Sequence, residues 1–339
     1  MALTPVEALN KVVMDRLANL RLTTARTLMN LAERNRLATK QDTNINWDVE
    51  VGGGSTAIEA MTADGADTTT DDVVPANIRI GNYRVKHQFK ISRVAIAEAA
   101  QRAPQELTNL FASHVDRGIT HISRRVNQLI YTGDGTATSG EFIGLSKVAD
   151  DTYSYGGVSP TTYPAWKCFN FANPTTPGTA RALTKAMFLD IEQKLNEQEA
   201  VYDMIVTSPA IATSYNKLFD NLPGAGVEAI LSNNGQFKNV DLGHGGRFYQ
   251  GIPIIEDPMC PTGQIFFVNS ADITLHTFLL PQAPAMSQQE TISTSAYGMN
   301  LHISELPSNN SAVRKFELFV IPQLHVFTRK AITVLRDLQ

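Results

Sequence analysis

Cysteine is nearly absent from this chain, which has only Cys168 and Cys260 in 339 residues. Two such distant cysteines supply neither a disulfide framework nor the closely spaced ligands of a zinc site, and they fit a reducing compartment. Apolar runs are short as well, and none approaches the roughly 18 residues that cross a bilayer. Glu7 and Asp15 stand where a secretory signal needs an apolar core. The sequence therefore predicts a soluble, intracellular protein without a membrane partner.

Motifs of enzyme chemistry are also missing. There is no Walker loop, no GxSxG, no HExxH and no EF-hand loop. The glycines at 52–54 precede neither a Lys-Ser/Thr pair nor a helix start, and the seven histidines are scattered without ligand spacing. We therefore expect no cofactor, no metal and no catalytic residue, although missing motifs alone do not exclude an enzyme.

Charge is low overall but strongly segmented. The net charge of −4 argues against a general nucleic-acid binder. Residues 1–41 carry seven bases and three acids, residues 42–77 carry eight acids and no base, and residues 78–131 carry nine bases and three acids. The remaining residues carry 13 bases and 19 acids. An acidic block between two basic ones predicts that the block neutralises a basic surface, its own or a neighbour's.

The strongest helical pattern runs over residues 104–131. Its apolar residues recur every three or four positions and form one broad stripe. At 1.5 Å per residue the segment predicts a rod of about 42 Å. A column of four residues follows one flank of this rod: His114, Arg117, His121 and Arg124. The column is either a solvated basic flank or a contact surface for an acidic partner.

Two alternating segments, 45–51 and 83–91, bracket most of the acidic block and predict strands with one buried face. We predict that they pair as a long hairpin, with Asp48 and Glu50 opposite basic residues. The segment between them is rich in Gly, Thr and Asp and has no periodicity. Because it cannot build its own core, it would be ordered only by lying on another surface.

The remaining pattern is mixed. A helix of about 30 residues is predicted from the Thr4 cap, and Ser92 is predicted to cap a short helix before Pro104. From residue 181 onward, helices alternate with strands rich in β-branched and aromatic residues. We expect the last such run to return to the sheet beside the long helix.

This order of parts resembles the major capsid proteins of tailed bacteriophages, which have the Hong Kong 97-type fold. Two soft signatures support the resemblance, at residues 133–145 and 251–268. It implies an α+β fold with an N-terminal helical arm at 1–41 and an extended β-hairpin loop at 42–91. It further implies a peripheral domain at 92–179 and 306–339, with the long helix as its spine, and a compact α/β axial domain at 180–305.

The resemblance implies a non-enzymatic subunit that assembles with itself, as hexamers and pentamers, into an icosahedral virion shell in the bacterial cytoplasm. The other partners that it implies are a portal, a separate scaffolding protein, a decoration or cement protein, and double-stranded DNA held weakly and without sequence specificity. Relatives that crosslink use a lysine in the extended loop, and no lysine lies between Lys40 and Lys86. We therefore expect a shell without covalent crosslinks.

The acidic loop of one subunit is expected to lie on the basic spine region of the next. The candidate contact residues are Asp48, Glu50, Glu59, Asp64, Asp67, Asp71, Asp72, Arg84, Lys86, His114, Arg117, His121 and Arg124. Two alternatives stay open on the sequence alone. One is an encapsulin-like compartment with the same fold, and the other is a soluble α/β hydrolase or transferase with a flexible lid at 52–77.

Overall fold

A computed structural model describes residues 25–40, 44–52, 74–81, 83–102, 104–136, 140–197, 200–220, 248–279, 292–296, 299–307 and 312–339. The α-helices are Arg26–Glu33, Arg93–Arg102, Pro104–Thr132, Leu145–Val148, Lys185–Glu197 and Pro209–Asp220. Short 3-10 helices cover Pro164–Trp166, Ser270–Asp272 and Arg329–Ala331. The predicted helix before residue 25 and five of the acidic candidates, Glu59, Asp64, Asp67, Asp71 and Asp72, lie outside the described residues.

Fifteen strands are present in the described residues. They are β1 Leu37–Lys40, β2 Ile45–Gly52, β3 Val74–Ile80, β4 Val85–Ser92, β5 Phe169–Phe171, β6 Met204–Thr207, β7 Phe248–Tyr249, β8 Ile252–Glu256, β9 Ile265–Val268, β10 Ile273–Phe278, β11 Ile292–Ala296, β12 Met299–Leu306, β13 Val313–Val320, β14 Pro322–Val326 and β15 Ile332–Leu335. They form sheets in the orders β11-β12-β13-β4, β1-β10-β14, β2-β3 and β5-β15-β9-β6-β8-β7. The six-stranded sheet contains β5 and β15 of the predicted peripheral domain and β6 to β9 of the predicted axial domain. The domain boundaries stay a prediction.

The predicted long helix is present as Pro104–Thr132, one residue longer than expected. Its apolar stripe, from Phe111 to Ile130, is buried in the main core. The four-stranded sheet lies against it, and Phe111 meets Phe316 of β13 edge to face, with ring centroids 5.4 Å apart. Gly118 permits this close approach, because a Cβ there would lie 3.0 Å from a methyl carbon of Leu318.

The predicted hairpin pairing is wrong. The strands at 45–52 and 85–92 exist, but β2 pairs with β3, so that Asp48 lies opposite Asn77 and Glu50 opposite Pro75. β4 pairs instead with β13, which belongs to the C-terminal run that we expect beside the long helix. The physical reason is burial: Ile78 and Ile80 of β3 are almost completely buried, and β4 needs a partner that also covers the long helix.

The predicted arm is partly built into its own subunit. The first described helix is Arg26–Glu33, called the first helix below. Its residues Leu28 and Leu31, and the preceding Ala25, are at most 1% exposed. β1 then pairs in parallel with β10, with Leu37 opposite Leu275. Residues 25–40 therefore contribute to the core and to a sheet of the same chain.

The β2–β3 hairpin is docked on the body at Gly156. The amide N–H of Arg79 donates to the Gly156 carbonyl at 3.2 Å, and a Cβ at Gly156 would lie 2.1 Å from Ile78. On the other strand, Trp47 contacts the His325 ring, with centroids 4.1 Å apart, and donates its indole N–H to the Phe327 carbonyl. The root of the acidic loop is therefore held rigidly on its own subunit.

We predict that Gly156→Ala loosens this hairpin without unfolding the subunit, because the new methyl group collides with Ile78. Amide hydrogen exchange in β2 and β3 should speed up by about tenfold, which corresponds to about 1.4 kcal/mol. Gly157→Ala is the matched control, since Gly157 also has a positive φ but a Cβ there would meet nothing within 4 Å. Equal effects of the two variants would show that backbone strain, not docking, is responsible.

Candidate inter-subunit surface

A buried carboxyl group fixes the position of the long helix, whose basic flank is the candidate inter-subunit surface. Asp257 follows β8 and is 0% exposed. One of its oxygens accepts hydrogen bonds from the Thr27 backbone N–H at 3.1 Å, the Thr27 hydroxyl at 2.8 Å, the Asn127 amide at 2.8 Å and the Tyr131 hydroxyl at 2.9 Å. The other accepts from the Met259 N–H at 2.9 Å. Asp257 thus joins the first helix, the long helix and the six-stranded sheet.

The groups around Asp257 also bind one another. The Asn127 amide oxygen accepts from the Leu28 N–H at 2.9 Å, and the hydroxyls of Thr27 and Tyr131 are in contact. Burial and then the neighbouring Asp257 raise the pKa of Tyr131 well above its ordinary value, so its hydroxyl stays a donor at neutral pH. A buried polar group without a hydrogen-bond partner destabilises the folded state, and each buried donor of this cluster has an acceptor.

A second polar tie lies at the other end of the first helix. Arg34 forms an ion pair with Asp203, and the Ser270 N–H donates to the same carboxyl group at 2.8 Å. Both charged side chains are about one-third exposed, so this pair contributes much less than the buried cluster. It still ties the end of the first helix to the residues that precede β6 and follow β9, two interior strands of the six-stranded sheet.

The predicted basic column is divided between residues that pack on their own sheet and residues that face outward. His121 stacks on His87 of β4, with centroids 5.2 Å apart, and His114 stacks on Phe89 at 5.5 Å. Arg117 and Arg124 are exposed. Both histidines therefore contact the sheet of their own subunit, and His121 remains exposed together with the two arginines.

Arg84 is also committed within its own subunit. Its guanidinium forms an ion pair with Glu317 of β13 and lies 3.8 Å from the ring centroid of Phe319. Glu317 is almost completely buried and also accepts from the Gln88 amide at 2.7 Å.

Three other charged candidates lie on strands β2 and β4, which belong to different sheets. Lys86 of β4 is exposed, as is Asp48 of β2. Glu50 lies in β2, at a bulge between Glu50 and Gly52. His87 and Phe89 of β4 stack on the long helix, so Lys86, which lies between Val85 and His87 in the alternation of the strand, is on the opposite face of the sheet.

Sequence reasoning missed the residues that organise this framework. Asp257 lies inside the signature at 251–268, which supports the resemblance without assigning it a role. Its signal is the acidic pair at 256–257 after the apolar run IPII, which places a carboxyl group at the end of a buried strand. Arg329, which is 1% exposed, carries no such signal, because its partners are main-chain carbonyls distant in sequence.

The described residues contain no group of His, Cys, Asp and Glu side chains that could hold a metal ion. None of the described helices combines the length and the apolar character that crossing a bilayer requires.

Comparisons with known proteins agree with this architecture. A sequence profile of the SU10 major capsid protein family matches residues 6–297. The capsid asymmetric unit of cyanophage A-1(L) superposes with a TM-score of 0.77 at 24% identity, covering 96% of this chain and 95% of that one. The capsid of Myoviridae phage XM1 gives a TM-score of 0.51 at 12% identity, covering 91% and 92%.

A shell protein of another kind shares the fold. The SrpI encapsulin of Synechococcus elongatus PCC 7942 superposes with a TM-score of 0.52 at 13% identity, covering 95% of this chain and 90% of that one. No curated protein sequence matches the chain significantly. The fold is the Hong Kong 97 type that the sequence predicted.

Replacing the buried carboxyl group should destabilise the whole subunit. We predict that Asp257→Ala lowers the free energy of unfolding by about 3 kcal/mol or more, because each buried donor left without an acceptor costs about 1 to 3 kcal/mol. Urea denaturation followed by tryptophan fluorescence measures the change. Asp190→Asn, on an exposed helix position, is the control. A loss below about 1 kcal/mol would mean that the cluster is not the principal tie.

The histidine stacks predict a dependence of stability on pH. Burial, then His121 and Arg117, lower the pKa of His87 from its ordinary 6.5, and burial, then Arg117, lower the pKa of His114. The unfolded chain then binds protons more readily than the folded one. The contribution of these histidines to the free energy of unfolding should therefore be fully present above pH 6.5. It should be lost as the pH falls from 6.5 toward the lower pKa values of the folded state.

Unfolding free energies measured between about pH 7.5 and about pH 5 test this point. His87→Gln, which cannot titrate, should show a shallower decline than the wild type. Parallel declines in the two proteins would locate the acid sensitivity elsewhere.

Proposed function

The chain belongs to the SU10 major capsid protein family, and from this premise we propose that its copies assemble as hexamers and pentamers into the icosahedral head of a tailed bacteriophage. It is a structural protein of the virion shell and associates with itself. The family match over most of the chain is the observation that carries this conclusion.

We propose that the docked hairpin presents the acidic segment to a neighbouring subunit. Residues 42–77 carry eight acids and no base. The β2–β3 root is fixed on its own body, so residues 52 and 74, between which the segment runs, have defined positions. A segment without a core of its own gains order by lying on a complementary surface.

The receiving surface in this proposal is the exposed part of the basic flank. Arg117 and Arg124 on the long helix are exposed and form this surface. Lys86 on β4 is exposed on the opposite face of the sheet, where it is a separate candidate contact. Three further candidates hold β4 in place beside this surface. His114 and His121 pack the long helix on β4, and Arg84 forms an ion pair with β13. The candidate carriers of negative charge are Asp48, Glu50, Glu59, Asp64, Asp67, Asp71 and Asp72.

Further partners follow from the same role. A closed head needs a portal for its genome, and a separate scaffolding protein would guide assembly. A decoration or cement protein on the finished shell is also part of the proposal. We propose that packaged double-stranded DNA is held without sequence specificity, because a chain with a net charge of −4 offers few phosphate contacts overall.

The encapsulin-like alternative shares the fold, so the superpositions alone do not separate the two roles. Membership in a major capsid protein family favours the phage head. The soluble-enzyme alternative with a lid at 52–77 is set aside by the same membership, since the family is structural.

Expression of the chain, with a scaffolding protein if one is needed, should give shells or rings in negative-stain micrographs. We predict that boiled, reduced denaturing gels of these particles show only the monomer band, since the acidic segment has no lysine to crosslink. A stable monomer under all conditions would contradict the shell role. A covalent ladder would contradict only the absence of crosslinks.

Charge reversal tests the proposed contact. Arg117→Glu combined with Arg124→Glu should block assembly while the subunit stays folded, because like charges then oppose the acidic segment. Adding Asp71→Lys and Asp72→Lys to this variant should restore part of the assembly. Lys217→Glu, on an exposed face of another helix, is the control. Normal assembly of the double Arg variant would remove the long-helix flank from the interface.

A further inference from the structure

A cavity of about 440 Å³ opens at the edge strand β5. Its lining includes Lys167, Lys194 and Lys330, together with Asp151 and Asn170. The three lysines come from separate parts of the chain: the segment before β5, the helix Lys185–Glu197 and the 3-10 helix before β15. They converge in a region of the sequence, residues 132–339, in which acids outnumber bases by 19 to 13.

A buried cation lies behind one wall of this cavity. The Arg329 guanidinium donates to the Val148 carbonyl at 2.8 and 3.0 Å and to the Tyr153 carbonyl at 3.0 Å, and it also contacts the Asp150 carbonyl. Its Nη2 lies 3.6 Å from the sulfur of Cys168, which lines the cavity. These three carbonyl groups are main-chain acceptors, so the positive charge of Arg329 is spread over neutral dipoles.

Arg329 also makes the cavity walls rigid. It precedes Lys330 directly and ties the 3-10 helix to the segment 148–153, which contains Asp151 of the cavity wall. Two walls that carry charged groups are therefore held in a fixed relation by a buried side chain. Such pre-organisation lowers the cost of binding a small ligand.

The charge balance of the lining is positive. Asp151 is its single carboxyl group, and it lies 3.7 Å from Lys167 with both side chains more than one-third exposed. Burial raises the pKa of the Cys168 thiol to about 11, so the sulfur adds no negative charge at neutral pH. Lys194 pairs with Glu197, which is outside the lining, in an exposed contact of 2.7 Å. Exposed pairs of this kind are weak and yield readily to a stronger anion.

The cavity also contains a polar group that the described residues leave unsatisfied. The side-chain oxygen of Asn170 is buried and has no hydrogen-bond partner among them. An amide can turn by half a rotation and present its NH₂ group instead, which offers two donors. Buried polar atoms without partners are uncommon in folded proteins, and a bound ligand is one of the ways in which they are satisfied.

We propose that this cavity is a phosphate-binding site, with Lys330 and Lys167 as its principal ligands and Asn170 as a hydrogen-bonding side chain. Lysine is an effective point-charge ligand for phosphate, and a phosphate group carries more charge and more acceptor oxygens than a carboxylate. The volume falls within the usual range for small-ligand sites. The phosphate would come either from free inorganic or polyphosphate ions or from the backbone of a nucleic acid.

Calorimetric titration of the full-length protein with tripolyphosphate at low salt tests the proposal. Lys167→Gln combined with Lys330→Gln should weaken binding by about tenfold or more, given that each removed cation takes away a phosphate contact. The matched control is Lys217→Gln combined with Lys315→Gln, two exposed lysines that do not line the cavity. Equal losses in both variants, or no loss in either, would overturn the site.

Competition identifies the source of the phosphate. Displacement of tripolyphosphate by a short DNA duplex in the wild type, but not in the cavity variant, would assign the site to nucleic acid. Failure of the duplex to compete would assign it to free phosphate ions. Tighter binding of an acidic peptide with the sequence of residues 53–73 would overturn the phosphate assignment. Normal shells from the cavity variant would leave the capsid role intact, so the two proposals can fail separately.

Discussion

The fully buried carboxyl group of Asp257 is the constraint on which the arrangement of this subunit depends. Five donors converge on it, and in the interior none of them could be left without an acceptor at small cost. Through it the first helix is fixed to the last turns of the long helix and to the end of β8. The position of the long helix, and with it of the basic flank, relative to the six-stranded sheet follows from this connection.

The long helix is fixed near its C-terminal end by Asp257, and the four-stranded sheet packs along it. Gly118 lets the sheet approach, and the stacks of His87 on His121 and of Phe89 on His114 fill the contact. This packing explains why His114 is only half-buried rather than exposed like Arg117 and Arg124. It also gives the interface a rigid support, since β4 is held between the helix and β13.

The long helix, the short helix after Ser92 and the strands of the C-terminal half could be predicted from the sequence, because their periodicity reports burial directly. The partner of β2 could not, since alternation reveals a strand but not its neighbour. β3 is hidden in the sequence by Pro75 and by a single pair of buried isoleucines at Ile78 and Ile80. The roles of Asp257 and Arg329 depend on groups far away in sequence, and local pattern carries no information about such contacts.

A reconstruction of assembled particles by electron cryomicroscopy, at a resolution that shows side chains, tests the central claim most directly. We expect the acidic segment of one subunit to lie along the long helix of its neighbour, with carboxylates within about 4 Å of Arg117 or Arg124. Asp257 should hold the first helix of the same chain in every copy. An acidic segment folded back on its own subunit, away from these cations, would contradict the proposed contact.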